Sequence, residues 1–251
     1  MKAAVVLIGD ELLTGKTADR NGALAIELFR AQGVTLRSLC VIPDEVALIA
    51  ETIGREAARV DIVVTSGGVG PTHDDKTMEG VARAFGVDLV PSAAMRAHIE
   101  RQFEGEPEGA RSAWLKMADL PVGSELLEID GERWPVTRLE NVYILPGIPE
   151  NFRRQLLGLR GRFLGSKVFL RTIFMGVGEG RIAAPLGEAA ERFAGVSFGS
   201  YPVVGGAGWS VRVTVESVDA AAVEAASSWL LGRFGGDEVV GVLDGDGQEG
   251  P

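Results

Sequence analysis

Residues Asp61–Asp75 read DIVVTSGGVGPTHDD. The first six, DIVVTS, form a Val-rich run of strand length with no polar face. Such a strand belongs inside a sheet covered on both sides, the habit of parallel sheets in α/β proteins. Three glycines then fall in four positions, Gly67, Gly68 and Gly70. A helical pattern follows from about Lys76 to Phe85, and Gly86 stops it. A glycine loop between a strand and a helix N-terminus lets backbone N–H groups approach an anion. Yet the next charges are Asp74 and Asp75, where a phosphate loop would carry Lys and Ser or Thr.

The same grammar recurs on either side. KAAVVLI (2–8) is an apolar strand closed by Gly9-Asp10, and NGALAIELFRAQ (21–32) is a helix stopped by Gly33. VTLRSLCVI (34–42) reads as a second strand, and PDEVALIAETIGREAARV (43–60) as a second helix with Asp44 near its start. The β-α-β-α-β-α order, with strands too apolar for one-sided burial, predicts a mostly parallel sheet between two helical layers. Further along, AAMRAHIERQF is a helix, SELLEIDGERWPVT a hairpin turning at Asp130-Gly131, and NVYILPGIPENFRRQLLGL another strand, loop and helix.

From about Lys167 the order becomes strand, helix, strand, strand, helix and a closing strand, which suits a small α+β domain. In it Pro185 starts or kinks a helix, Gly205-Gly206-Ala207-Gly208 makes a turn, and a final helix is capped at Asp219 and stopped by Gly235. The expected division is 1–166 for the α/β domain with the site, 167–243 for the α+β domain, and 244–251 for a flexible tail.

Composition limits the function. The chain has 251 residues, 25 Lys and Arg against 35 Asp and Glu, and a net charge of −10. Nucleic-acid affinity comes from clustered cations, so no nucleic-acid partner is expected. The cationic run Arg153, Arg154, Arg160, Arg162, Lys167 and Arg171 reads as a solvated surface near a domain junction. A single cysteine, Cys40, allows no internal disulfide and reads as an inert buried thiol. No signal-peptide pattern and no run of 18 apolar residues is found, so the expectation is a cytoplasmic protein with no membrane partner. Zinc and nucleophilic-triad chemistry are disfavoured by two widely separated histidines and no G-x-S-x-G elbow. His73 reads as a loop residue and His98 as a helix-surface residue.

Ligands of a doubly wound sheet bind beyond the carboxyl ends of its strands. The acids and glycines cluster at such ends: Asp10-Glu11, Asp44-Glu45, the loop Gly67–Asp75, and Pro146-Gly147-Ile148-Pro149. The loop amides favour an anion, whereas each like-charge contact at 4 Å costs about 4 kcal/mol at an effective dielectric near 20. Two readings remove the conflict. Asp44, Asp74 and Asp75 are helix caps pointing away from the ligand. Alternatively, a divalent cation sits between the acids and the ligand's phosphates.

The segments IGDELLTGKTADRN (8–21), VIPDEV (41–46), SGGVGPTHDDKT (66–77) and NVYILPGIPE (141–150) resemble the competence/damage-inducible protein A family. That family shares its domain with molybdopterin-binding and molybdopterin adenylyltransferase proteins. The third and fourth segments also resemble the N-terminal domain of eukaryotic FAD synthases. The resemblance covers about residues 1–165 and implies a three-layer α/β/α molybdopterin-binding domain, followed by a KH-like α+β module. It implies Asp44 and Asp75 as metal ligands, Asp75, Asp74 and Asp44 as catalytic acids, and Mg, Mn or Co as the divalent metal. It further implies that Gly9, Asp10, Thr14, Asn21, Ser66, Gly67, Gly68, Gly70, Thr72 and Gly147 line the substrate site, with Asp10, Thr14 and Asn21 at its rim or against ribose.

The resemblance implies, for members with two adjacent loop aspartates, metal-dependent hydrolysis of a pyrophosphate bond in ADP-ribose or an FAD-like compound, which suits the cation reading above. Molybdopterin binding or adenylyl transfer is the alternative, and a non-catalytic interaction protein a third. The expected partner is a small nucleotide or pterin, in a homo-oligomer. The nicotinamide-mononucleotide deamidase domain of full-length relatives has no counterpart in these residues, and neither has the synthase domain of FAD synthases.

Overall fold

The computed structural model describes residues 1–203 and 208–245. The chain forms two compact units, Met1–Gly165 and Ser166–Pro251.

The first unit is built on strands β1 (Lys2–Ile8), β2 (Thr35–Ile42), β3 (Ile62–Ser66), β6 (Glu125–Leu127), β7 (Val136–Leu139) and β8 (Val142–Leu145). They form one sheet in the order β2-β1-β3-β8-β7-β6. Strands β1, β2, β3 and β8 are mutually parallel; β7 runs antiparallel to β8, and β6 antiparallel to β7. Alternation along each strand sends successive side chains to opposite faces. Ala3, Val5, Leu7, Ile62, Val64, Tyr143 and Leu145 therefore enter one core, with Phe29, Phe152, Leu156 and Phe163 from above. Ala4, Val6, Ile8, Val63, Val142 and Ile144 enter the other, against Ile49, Ile53 and Val81. Helices α2 (Asn21–Ala31) and α7 (Pro149–Gly158) cover the first face. Helices α3 (Val46–Ala57) and α4 (Thr77–Phe85) cover the second, completing the three layers.

Gly33 and Gly86 follow α2 and α4 with φ of 67° and 65°, the left-handed geometry that ends a helix cheaply only at glycine. The hairpin turns where expected, with Gly131 at φ 77°. A second reversal, at Glu140 (φ 50°), separates β7 from β8. No glycine or proline marks this turn, which falls on Glu140-Asn141.

Between α4 and β6 the chain adds an appendage. It holds the two-stranded pair β4 (Leu89–Pro91) and β5 (Asp119–Pro121), helix α5 (Ala93–Gln102) and helix α6 (Glu108–Leu115). Met95, Ile99, Ala118 and Leu120 form its own small core, lined by Phe103, Trp114 and Trp134. His98 is buried there at 9% exposure, its ring 5.3 Å from that of Trp134, rather than on a helix surface.

The second unit has the antiparallel sheet β10 (Ser197–Pro202), β11 (Val211–Ser217), β9 (Phe169–Met175), β12 (Val239–Asp244), in that spatial order. Helices α8 (Glu179–Arg192) and α9 (Ala220–Leu231) pack on it through Ile182, Ala189, Val223, Ala226 and Leu230. Pro185 lies inside α8, not at its start. Asp219 caps α9 by accepting the Ala221 N–H at 2.9 Å, but the helix ends at Leu231, before Gly235.

The glycine turn expected at 205–208 lies outside the described residues except for Gly208. Of the expected tail only Asp244 and Gly245 are described, and both are held. Asp244 ends β12 and pairs with Arg171 at 2.9 Å, and the Gly245 N–H donates to the Leu170 carbonyl at 2.9 Å. Arg171, which also pairs with Glu224, is thus a packed residue rather than a solvated one.

Candidate functional site

β1 lies between β2 and β3, so the chain leaves it on one side and returns on the other. Helices on opposite faces leave a crevice at such a reversal, beyond the strands' carboxyl ends. Gly9 ends β1, and its N–H donates to the Ile42 carbonyl at 3.0 Å. Ser66-Gly67 ends β3, Gly147 follows β8, and Asp44 follows β2. The expected residues thus meet at one edge of the first unit.

Packing alone accounts for the loop glycines. Gly67 has φ 103°, and a Cβ there would strike the Ile8 carbonyl. Gly68 has φ 62°, and a Cβ would lie 2.5 Å from Thr77 Oγ1 and 3.1 Å from Asp44 Oδ1. A Cβ on Gly147 would come within 3.2 Å of Gly67 Cα, so the two backbones cross closely. The Gly67 N–H donates to Leu145 O at 3.1 Å, whereas those of Gly68 and Val69 have no acceptor among the described residues. These two adjacent amides are available to an anion.

Asp75 explains how an acid fits an anion loop. Its Oδ1 accepts the Gly70 N–H at 2.6 Å, and its Oδ2 accepts the Thr72 N–H at 2.8 Å and the Thr72 hydroxyl at 2.5 Å. The carboxylate closes the loop on itself. Of roughly four lone-pair positions, about one remains. Asp75 is therefore neither a cap of α4 nor a freely available ligand.

Asp44 is placed differently. It does not cap α3, whose N-cap is Glu45 with no side-chain bond. Instead its Oδ2 accepts the Asp10 N–H at 3.0 Å, and its Oδ1 faces Gly68. Burial raises its carboxyl above the ordinary aspartate value. The Asp10 N–H opposes that rise, and the charges of Asp10, Glu11 and Asp74 add to it. Asp74 is exposed. Among the described residues no three His, Cys, Asp or Glu side chains form a ready-made metal cage. One or two carboxylates completed by substrate phosphates is, however, the usual Mg²⁺ arrangement, and hard oxygen donors of this kind fit it.

The remaining expected residues divide. Thr72 serves Asp75. Asp10 opens the short helix α1 (Asp10–Leu13), and the Thr14 hydroxyl donates to Asp10 O at 2.9 Å; both are exposed. Asn21 is only 5% exposed and sits beneath the site, not at its rim. Its Nδ2 ties Ser66 Oγ to Gly147 O, both at 2.8 Å, while Ser66 Oγ donates to Pro146 O at 3.3 Å.

Beside the loop opens a cavity of about 780 Å³. Glu11, the loop Gly67–Pro71, Asp75 and Lys76 form one side. Trp114, Trp134, Met95 and Leu89 form an apolar side, and Lys116, Arg154 and Gln155 add polar groups. The Lys116 Nζ donates to Thr72 O at 2.7 Å, which places a cation against the acid loop. Arg154 belongs to this cavity and pairs with Glu132 at 3.0 Å, while Arg153, Arg160 and Arg162 are the exposed residues expected of a solvated surface. Lys116, Trp114, Trp134 and Gln155 were missed because they lie in the appendage, in the connection between β6 and β7, and on α7, where no local motif marks them.

The sequence matches the family described as "Probable molybdopterin binding domain" over residues 4–160, and the one described as "FAD synthase, middle domain" over residues 167–242. It is 33% identical over 248 residues to a "Probable FAD synthase" of Caenorhabditis briggsae, covering 89% of this chain and 47% of that protein. The chain thus spans about half the length of the FAD synthases it matches. A protein of Thermococcus kodakarensis is 36% identical over 207 residues, 77% of this chain and 82% of that one. The crystal structure of the protein CinA, of unknown function, from Thermoplasma acidophilum aligns with a TM-score of 0.58 at 29% identity, over 65% of this chain and 99% of that chain. A domain match across more than half of the residues, on a mostly parallel three-layer unit with its acids and glycines at one sheet edge, makes this chain a member of the family of probable molybdopterin binding domains.

Proposed function

We propose that this protein is a metal-dependent hydrolase that cleaves the pyrophosphate linkage of a nucleotide compound of the ADP-ribose or FAD type. The observation that carries the reading is the opposition at the crevice. Two loop amides without an acceptor, of Gly68 and Val69, belong to a loop whose Gly68 lies against the carboxylate of Asp44, and the charge of Asp44 is disfavoured by burial and by neighbouring acids. Such a pocket suits a phosphate and a divalent cation together better than either alone.

Asp44, with the remaining lone pair of Asp75, would hold the cation. When bound, a divalent ion lowers the pKa of water and offsets charge on phosphate oxygens. The chain's own groups do the rest. The Gly68 and Val69 amides orient one phosphate. Lys116, beside Thr72, draws the other toward the apolar side of the cavity. Glu11, which lines the cavity next to the loop, takes a proton from the attacking water. The water oxygen bonds to one phosphorus as the bridging P–O bond breaks. The leaving oxygen keeps the electron pair and is protonated from solvent, giving a nucleoside monophosphate and a second phosphate monoester.

The test is a panel of ADP-ribose, FAD and NAD, each with Mg²⁺, Mn²⁺ or Co²⁺ and with chelator. Release of AMP only with metal is expected; no release under any condition overturns the proposal. Molybdopterin binding is the second reading, favoured by the domain family. A fluorescent pterin copurifying with a protein that cleaves nothing would favour it.

A further inference from the structure

The amides of Gly68 and Val69, which have no acceptor among the described residues, belong to two successive peptide units, Gly67–Gly68 and Gly68–Val69. Both units are trans. In a trans peptide the C=O and the N–H point in opposite directions, so whatever holds the carbonyl also aims the N–H.

One residue holds both carbonyls. Thr77, the first residue of α4, is fully buried. Its Oγ1 donates to the Gly67 carbonyl at 2.8 Å, and its backbone N–H donates to the Gly68 carbonyl at 3.0 Å. The Gly68 and Val69 N–H groups therefore lie together on the side of the loop turned away from Thr77. Successive amides set in this way form a concavity for an anion. Gly67 at φ 103° and Gly68 at φ 62° make the arrangement possible, because residues with a side chain rarely enter that backbone region. The same freedom lets glycine peptides rotate, so the paired donors need a hold on their carbonyls. Any residue but proline would supply the N–H at position 77, whereas the hydroxyl is particular to the side chain.

We infer that Thr77 is a positioning residue for the anion end of the site: its hydroxyl fixes the Gly67–Gly68 peptide so that the Gly68 N–H stands beside that of Val69 and both donate to one phosphate. The inference rests on the proposed function in taking the anion to be a phosphate of the substrate.

The experiment measures binding of methylenediphosphonate, a diphosphate analogue whose P–C–P bridge resists hydrolysis, by calorimetry at fixed Mg²⁺. Thr77→Val keeps the shape and loses the hydroxyl; Thr77→Ser keeps the hydroxyl and loses the methyl. Thr77→Val should bind about tenfold more weakly than wild type, the worth of one hydrogen bond to a charged group, and Thr77→Ser within about twofold of wild type. Urea unfolding should show both variants less stable than wild type, so a stability effect alone would not separate them. Wild-type affinity in Thr77→Val, or an equal loss in both variants, overturns the inference and leaves Thr77 a structural task only. So does the absence of binding by wild type. Should Thr77→Val fail to fold, the wild-type amide resonances decide: those of Gly68 and Val69 should shift on titration with the analogue, and unmoved resonances overturn the inference. If the expected pattern appears and no nucleotide is cleaved, the hydrolase reading falls and the role of Thr77 stands. If metal-dependent cleavage appears without the pattern, the role of Thr77 falls and the hydrolase reading stands.

Discussion

At the scale of single residues, Asp44 and Asp75 carry the same charge to opposite ends. Asp75 spends its oxygens on the loop, whereas Asp44 keeps one facing Gly68. Because Asp44's carboxyl is raised in the folded state, its stabilising contribution is fully present below the unfolded value and is lost as pH rises through the folded one. Ionised Asp44 therefore opposes folding near neutrality. Asp44→Asn should melt at or above the wild-type temperature at pH 7, with the difference vanishing in acid, as calorimetry across pH would show. The same variant should lose on the order of 100-fold in kcat, the scale seen when one electrostatic partner is removed. Wild-type turnover should also fall, on acidification, at a higher pH than an ordinary aspartate would set. A melting temperature well below wild type would assign Asp44 a structural task instead.

At the scale of the element, the glycine loop is a self-closed turn held by one carboxylate and one close backbone crossing. Asp75→Ala removes three accepted hydrogen bonds and should cost about 2–3 kcal/mol of stability, measured by urea unfolding, as well as activity. Gly67→Ala and Gly86→Ala form a matched pair. Both glycines have positive φ, but a Cβ at Gly67 meets the Ile8 carbonyl while one at Gly86 meets nothing within 4 Å. Gly86→Ala should cost about 1 kcal/mol, the conformational term alone, and Gly67→Ala distinctly more, about 3 kcal/mol. Equal losses would mean that β1 yields to the loop.

At the scale of the whole molecule, each unit has its own buried cluster, and every residue of the candidate site belongs to the first. Residues 1–165 expressed alone should fold cooperatively and retain metal-dependent cleavage within about threefold of the full chain, since domains with separate cores fold separately. Chelation should abolish that activity without changing the circular dichroism spectrum. No helix among the described residues is long and apolar enough to cross a membrane.

Local chemistry was enough for the parallel strands, the two-sided burial of β1 and β3, the loop glycines and the acids at the strand ends, but not for β4, β5 or the reversal between β7 and β8. Period-2 runs, helix stops and turn residues are written within a few positions of one another. For that reason Gly67, Gly68, Asp44 and Asp75 could be named before their positions were known. Which oxygen of Asp75 meets which amide, the burial of Asn21 beneath Gly147, and the turning of Asp44 toward Asp10 required distant segments to meet. So did the wall of Trp114, Trp134, Lys116 and Gln155, whose members come from three separate stretches of chain. A hydrogen bond or a cavity depends on distance in space, and spacing along the chain constrains that distance only within an element.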